Sequence, residues 1–447
     1  MFERQIMAHL REWKDKSNRK PLVLRGARQV GKTTVVNAFG KEFDNYLYFN
    51  LDIVNDKALF ERNIPLDDLV DSLFARQGIK KKKGSTLLFI DEIQNSPQTI
   101  SLLRYFKEQR PDIHVVSAGS LLENVVDVKV SFPVGRVDYM ALRPCSFYEF
   151  LTALDMDNLI YFIDHPEQSS SVHEQLMSLF NQYTIVGGMP EAVQEYADTH
   201  DVLALDDIYE SLVQGYKDDV EKYVSGGKLA DVVRYLIGSS WAKAGQTVTL
   251  GGFGDSDYRA REVGEAFRLL QKAMLLELVY PTTSVTVPAL GEEKRQPKVV
   301  MLDTGLTNYQ AGVRRELIGA NDILDVWRGH IAEQVVAQEL LTLNDKVSQR
   351  RQFWIKGNGS AEVDFVLTYQ SQLYPIEVKS GRNSHLRSMH SFIDQAPVNI
   401  GFRIWSGPYS VDDVQTTLGK KPFHLVNLPF YMIGHIEHVI DSLGCLT

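Results

Sequence analysis

Eight consecutive residues, Gly26-Ala27-Arg28-Gln29-Val30-Gly31-Lys32-Thr33, have the spacing G-x-x-x-x-G-K-[ST]. That pattern suits a backbone that wraps a phosphate. Gly26 and Gly31 admit an anion where a Cβ would collide. The N–H groups between them, and the N-terminus of the following helix, then face the negative charge. Lys32 would reach the β- and γ-phosphates of a nucleotide and the Thr33 hydroxyl would take a place on Mg²⁺, so the nucleotide-binding set runs from Gly26 through Thr34. Further on, Leu87-Leu88-Phe89-Ile90-Asp91-Glu92 delivers an acidic pair at the end of an apolar run. Asp91 would hold Mg²⁺ directly or through water, and Glu92 would polarise an attacking water as general base.

A second constellation lies near the other end of the chain. Glu362-Val363-Asp364-Phe365-Val366 alternates with period two, as does Pro375-Ile376-Glu377-Val378-Lys379. Side chains alternate along a strand, so Glu377 and Lys379 share a face. In the right pairing register Asp364 lies beside them, which gives the D-x(n)-E-x-K pattern of nuclease-type sites. There, two carboxylates bind Mg²⁺ and the lysine stabilises or deprotonates a hydrolytic water. Upstream, Gly329 to Val336 reads as helical, and Glu333 would add a further acidic ligand. The plainer alternative is a charged face on an exposed hairpin.

These residues need elements to place them. Apolar runs at Pro21–Leu24, Tyr46–Asn50, Thr86–Ile90 and Ile113–Val116 read as buried parallel strands, with helical spacing between them at Lys32–Phe39 and Ser101–Gln109. Such alternation predicts an α/β domain over residues 1–150. Residues 151–225 are mainly helical, broken at Val186-Gly187-Gly188-Met189-Pro190. Residues 226–297 form a smaller unit, with an amphipathic helix over Ser256–Leu278 and a polar loop or hairpin over Ser284–Pro297. A mixed α/β pattern fills 298–447.

At 447 residues the chain exceeds one ordinary core. Its net charge of −9 excludes a wholly basic nucleic-acid binder but not a local basic face. Arg350 and Arg351 before Phe353-Trp354, with Arg382 and Arg387, are scattered cations rather than a stripe. The run Lys80–Lys83 reads as a solvated loop, with a phosphate-contacting patch as the alternative. The two cysteines, Cys145 and Cys445, lack metal spacing and point to a reducing compartment. Neither a leader nor an 18-residue apolar run is evident, which predicts a cytoplasmic protein with no membrane span.

Taken together, these residues resemble a family of predicted ATPases from bacteria and archaea, which joins an AAA-14-type ATPase domain to a C-terminal DUF4143 domain. The resemblance covers nearly the whole chain. It is carried by Leu24 to Thr34, Phe89 to Gln94, Ala118-Gly119-Ser120, Gly135-Arg136, Arg143 to Phe147 with Glu149-Phe150, Gly187 to Glu191, Leu302 to Leu306, Gly329 to Leu340, and Asp364, Glu377 and Lys379. It implies an AAA+-like P-loop NTPase domain, a winged-helix-like segment over 226–297 and a C-terminal α/β restriction-endonuclease-like domain. It also implies ATP and Mg²⁺ as cofactors and assembly into a homo-oligomer. A polar residue after the fourth strand, Ser120 or Ser117, would sense the γ-phosphate, and Arg136 would be an arginine finger or sensor, with a plain surface arginine as the alternative. Relatives often carry a hydroxyl residue at the position of Ala118, which leaves the sensor open between the two serines.

Two functional readings follow. In one, ATP hydrolysis drives a conformational change on double-stranded DNA, which Asp364, Glu377 and Lys379 cut or merely grip. In the other, a nucleotide switch works through protein partners and the nuclease-like domain is a scaffold.

Overall fold

The structure, a computed structural model, describes residues 2–119, 135–220, 224, 227–314, 330–357, 359–379 and 386–444. The four apolar runs form β1 (Leu22–Arg25), β2 (Asn45–Asn50), β3 (Thr86–Asp91) and β4 (Ile113–Gly119). A fifth strand, β5 (Asp138–Ala141), too short for periodicity to reveal, joins at one edge. All pairings are parallel and the order is β2-β3-β4-β1-β5. The C-terminal ends of β1 and β3 therefore lie on the same end of the sheet, with β4 between them, and present the glycine-rich loop and the acidic pair to one site.

Both faces of this sheet are covered, which is why its strands read as continuous apolar runs. Helices Val54–Phe60, Leu66–Gln77 and Pro97–Gln109 pack on Leu47, Phe49, Leu88, Ile90 and Val115. Helices Ile6–Asp15 and Lys32–Gly40 cover the other face, with Leu22, Leu24, Phe89 and Val116. The helix expected from Ser101 starts at Pro97, because Ser96 caps it by accepting from the Thr99 N–H at 3.3 Å and proline suits the first helical position.

After β5 come helices Phe147–Ala153, Asp157–Asp164, His173–Val186, Pro190–Thr199 and Asp206–Asp218. Ser146 and Glu149 form a capping box at the start of this series. Helices Lys228–Ser239 and Ala260–Lys272 follow, then a hairpin of β6 (Leu276–Thr282) and β7 (Lys298–Met301) closed by the polar loop between them. The helix expected over 256–278 is shorter: Met274 takes a left-handed φ of 61° and Leu276 already belongs to β6.

The C-terminal part adds β8 (Gln352–Ile355), β9 (Glu362–Tyr369), β10 (Gln372–Lys379), β11 (Ile400–Trp405), β12 (Ser410–Gln415) and β13 (Pro422–Pro429). They form a mixed eight-stranded sheet in the order β12-β13-β11-β10-β9-β8-β6-β7. Because β6 pairs with both β7 and β8, this sheet runs across residue 297 without a break. β9 and β10 turn through Gln370 and Ser371, both at positive φ (45° and 62°), as a tight two-residue hairpin requires. Helix His330–Thr342 packs between this sheet and the helical segment.

One apolar core continues from Phe39 below the first sheet, through Phe147, Phe150 and Tyr183, to Leu306, Val335 and Phe402. The successive regions are thus packed into each other rather than tethered, so a shift in one is felt in the next. Among the described residues no helix is long and apolar enough to cross a membrane.

Candidate functional site

The glycine-rich loop leaves β1 and enters helix Lys32–Gly40 through two left-handed residues, Gln29 (φ 64°) and Gly31 (φ 92°). That alternation turns successive N–H groups inward, the geometry of an anion nest. Gly26 is required by crowding: a Cβ there would lie 2.6 Å from the Leu142 carbonyl oxygen. Lys32 is buried, and its ammonium donates to the carbonyls of Gly26 (2.9 Å) and Ala27 (2.8 Å). Burial lowers its pKa to about 8, against the opposing pull of Glu92 and Asp91.

The Thr33 hydroxyl donates to Asp91 Oδ2 at 2.6 Å and joins the two motifs. Asp91 is buried, and desolvation raises its pKa although Thr33, the Glu92 N–H and the Tyr48 hydroxyl all bond to it. A threonine hydroxyl and a carboxylate, both hard oxygen donors at this separation, are a donor set that fits Mg²⁺. Glu92 sits at φ 50°, an uncommon conformation for a side chain larger than glycine, and Gln94 holds its carboxylate. Burial raises the Glu92 pKa.

Behind the loop stand residues that no spacing rule flags. Arg4 donates to the Val30 carbonyl at 3.1 Å and the Arg143 carbonyl at 2.8 Å, and pairs with Glu149 at 2.9 Å. Arg28 pairs with buried Asp219, and the Tyr216 hydroxyl donates to the Arg28 carbonyl at 3.3 Å. The loop is thereby fastened to helix Asp206–Asp218 and the residue that follows it.

Other sequence candidates fall elsewhere. Arg136 precedes β5, at the end of the sheet away from the loop, and pairs with Glu108. It cannot serve the phosphate site of its own chain. Ser117 is fully buried and its hydroxyl donates to the Leu22 carbonyl inside the sheet at 3.2 Å, so it is not a sensor. Ser120 lies outside the described residues, as do Arg382, Gly329 and Cys445. Lys80–Lys83 form an exposed loop before β3, at the far end from the phosphate loop. Cys145 is buried and unpaired.

The C-terminal constellation assembles. The β9–β10 register pairs Phe365 with Ile376, which sets Asp364 opposite Glu377 on one face. The Val378 N–H donates to Asp364 Oδ2 at 2.8 Å, and Lys379 donates to Glu377 Oε2 at 2.6 Å. Glu333 arrives from helix His330–Thr342. The residue that sequence reasoning missed is Lys298 on β7, whose buried ammonium lies 2.9 Å from Glu333, 2.8 Å from Glu362 and 3.9 Å from Asp364. Desolvation works against that charge, but Glu333, Asp364 and Glu362 together raise the Lys298 pKa. Burial raises the pKa of Glu333 and of Glu377, with Asp364 adding to both. Among the described residues no group of three or more His, Cys, Asp or Glu side chains is placed to hold a metal ion. As arranged, Glu333 and Asp364 face the Lys298 ammonium and Glu377 accepts from Lys379.

A buried polar junction links the regions. Asp303 accepts from the N–H groups of Leu306 (2.9 Å) and Gly188 (2.5 Å). Glu339, on the same helix as Glu333, accepts from the Tyr183 hydroxyl (2.6 Å) and the Phe147 N–H (3.3 Å). Burial pushes Asp303 up to about 6 and Glu339 up to about 7.

A five-stranded parallel sheet whose first strand feeds a phosphate loop, with an acidic pair two strands away, defines a P-loop NTPase domain. Comparison with known families agrees. Residues 18–151 match an AAA domain (AAA_14), 177–317 a domain of unknown function (DUF8612), and 328–423 a second domain of unknown function (DUF4143). The chain therefore carries an AAA-type ATPase domain joined to a C-terminal DUF4143 domain. None of the curated proteins matches it. Among solved structures, a Walker-type ATPase of Pyrococcus abyssi is similar at 14% identity and a TM-score of 0.42, over 69% of this chain and 96% of that one. The ORC1 protein of Aeropyrum pernix, solved in complex with DNA, is similar at 13% identity and a TM-score of 0.30, over 69% and 93%.

Proposed function

We propose that the chain hydrolyses ATP with Mg²⁺ and uses the cycle to change its hold on duplex DNA. The observation that carries the catalytic part is the 2.6 Å bond between Thr33 and Asp91, which unites two distant motifs in one site. In this reading the loop N–H groups and Lys32 bind the phosphates, and Thr33 and Asp91 hold Mg²⁺, which neutralises charge on the phosphate oxygens. Glu92, its pKa raised by burial, accepts the proton of the attacking water. Phosphate contacts that draw Lys32 off the Gly26 and Ala27 carbonyls are felt at Arg28 and Asp219, and so at the helical segment.

The C-terminal domain grips or supports rather than cuts, because its acids are already neutralised by Lys298 and Lys379. In a homo-oligomer Arg136, useless to its own chain, would face the phosphates of a neighbouring copy. The reading in which the partner is a protein is favoured by the net charge of −9. ATP hydrolysis by the wild type and Glu92→Gln, with and without duplex DNA, separates the two. Stimulation by DNA that Glu92→Gln abolishes supports the first reading. Hydrolysis indifferent to DNA supports the protein-partner switch.

A further inference from the structure

Four stretches far apart in sequence bring five cationic side chains, Arg25, Arg143, Lys272, Arg350 and Arg351, to one open cleft. It lies where the end of β1, the segment after β5, the C-terminus of helix Ala260–Lys272 and the approach to β8 converge. The one carboxylate in its lining, Glu277, is fully engaged by Arg351, which donates from its backbone N–H (3.0 Å), Nε (3.2 Å) and Nη2 (2.8 Å). Arg143 is left without a carboxylate in salt-bridge range among the described residues. Its Nε is enclosed and has no hydrogen-bond partner among the described residues. Its backbone is fixed, because Arg4 donates to its carbonyl at 2.8 Å.

An enclosed guanidinium with no carboxylate in direct contact is costly, and more so beside other cations. Burial, with Arg351, Arg350 and Arg25 pushing the same way, lowers the Arg143 pKa to about 10 against the opposing pull of Glu277. An external anion would remove that cost, and the planar fork of arginine matches two oxygens of a phosphate. Lys272 and Arg350 stand exposed at the mouth, suited to a ligand that continues out of the cleft.

We propose that this cleft binds a phosphate group, with Arg143 at its floor and Lys272 and Arg350 at its rim, and that the phosphate belongs to a nucleic-acid backbone. The nucleic-acid source rests on the function proposed above. The phosphate site itself does not.

The test uses the full chain carrying Lys32→Ala, so that the P-loop does not contribute. Binding of a labelled DNA duplex is followed across a salt series in this background, alone and with Arg143→Gln or the exposed pair Lys272→Gln/Arg350→Gln. In parallel, the melting temperature is measured with inorganic phosphate. The expected result is weaker DNA binding in both variants, with the slope of log affinity against log salt reduced by about one per lost contact. Phosphate should raise the melting temperature of the parent and leave Arg143→Gln unmoved. If Arg143→Gln does not fold, the exposed pair carries the DNA arm. An Arg143-dependent phosphate effect with unaltered DNA binding keeps the site and overturns nucleic acid as its source. DNA binding and phosphate stabilisation both indifferent to every substitution overturn the site. DNA-stimulated hydrolysis by the wild type would survive that outcome, so the two failures are distinct.

Discussion

The ammonium of Lys298 lies 2.9 Å from the carboxylate of Glu333, at the centre of the acids that sequence spacing assigns to a nuclease-type metal site. It also touches Glu362 and stands over the rings of Phe353 and Phe365. A lysine so placed is an internal counter-ion. Lys298→Met should therefore leave the half-buried Glu333 and Asp364 uncompensated and destabilise the chain by roughly 1–3 kcal/mol. Added Mn²⁺ should raise the melting temperature of this variant more than that of the wild type. Equal stabilisation of the two would mean that the acids hold a metal with Lys298 in place.

Glu92 and Lys32 separate chemistry from binding. Glu92→Gln keeps the size of the side chain and loses the base, so it should bind ATP normally and hydrolyse it about 10²–10⁴-fold more slowly. Lys32→Ala removes the phosphate contact and should weaken ATP binding itself. Isothermal titration alongside steady-state hydrolysis reads both. A Glu92→Gln variant that hydrolyses at the wild-type rate would take the general base away from this residue.

Two glycines should respond in opposite directions to the same change. A Cβ on Gly187 (φ 69°) would lie 2.4 Å from Asp303 Oδ1 and 2.5 Å from the Gly305 nitrogen. Nothing lies within 4 Å of a Cβ on Gly215, inside helix Asp206–Asp218. Gly187→Ala should thus lower stability by more than about 1 kcal/mol, since it adds a clash to the wrong backbone conformation. Gly215→Ala should raise it by about 0.5–1 kcal/mol through helix propensity. Thermal melts of the two variants settle the comparison, and a neutral Gly187→Ala would mean that the turn can open.

How much of this was legible in sequence follows from the range of each interaction. The phosphate loop and acidic pair are local patterns set by phosphate geometry, and the buried parallel strands are unbroken apolar runs, so both could be read directly. β5 has four residues and two buried positions, too little for any period. Arg4 and Asp219 act on the loop, and Tyr48 on Asp91, from elements distant in sequence, and no spacing connects them. The same holds for Lys298: the D-x(n)-E-x-K pattern names the residues on β9 and β10 but is silent about a lysine on β7. The basic cleft escaped for a related reason, since its cations are singletons in sequence and meet only when β1, helix Ala260–Lys272 and the β8 approach converge.

Glu339 makes stability depend on pH in a direction opposite to that of a salt-bridged carboxylate. Burial pushes its pKa from 4.5 up to about 7, although the Tyr183 hydroxyl and Phe147 N–H pull it down, while Glu149 adds to the rise. Between those values the folded chain holds a proton that the unfolded chain has lost. The unfolding free energy therefore falls as pH rises. The contribution is complete below about pH 4.5 and is lost as pH passes about 7, a change of roughly 3 kcal/mol for one group shifted this far. Asp303, raised from 3.8 to about 6, acts in the same direction over a lower window. Glu339→Gln retains an acceptor for Tyr183 and cannot ionise, so its denaturant midpoint should change less than that of the wild type between about pH 5 and about pH 8. Parallel wild-type and Glu339→Gln profiles over that interval would mean that Glu339 ionises normally in the fold, and would remove it as the source of the slope.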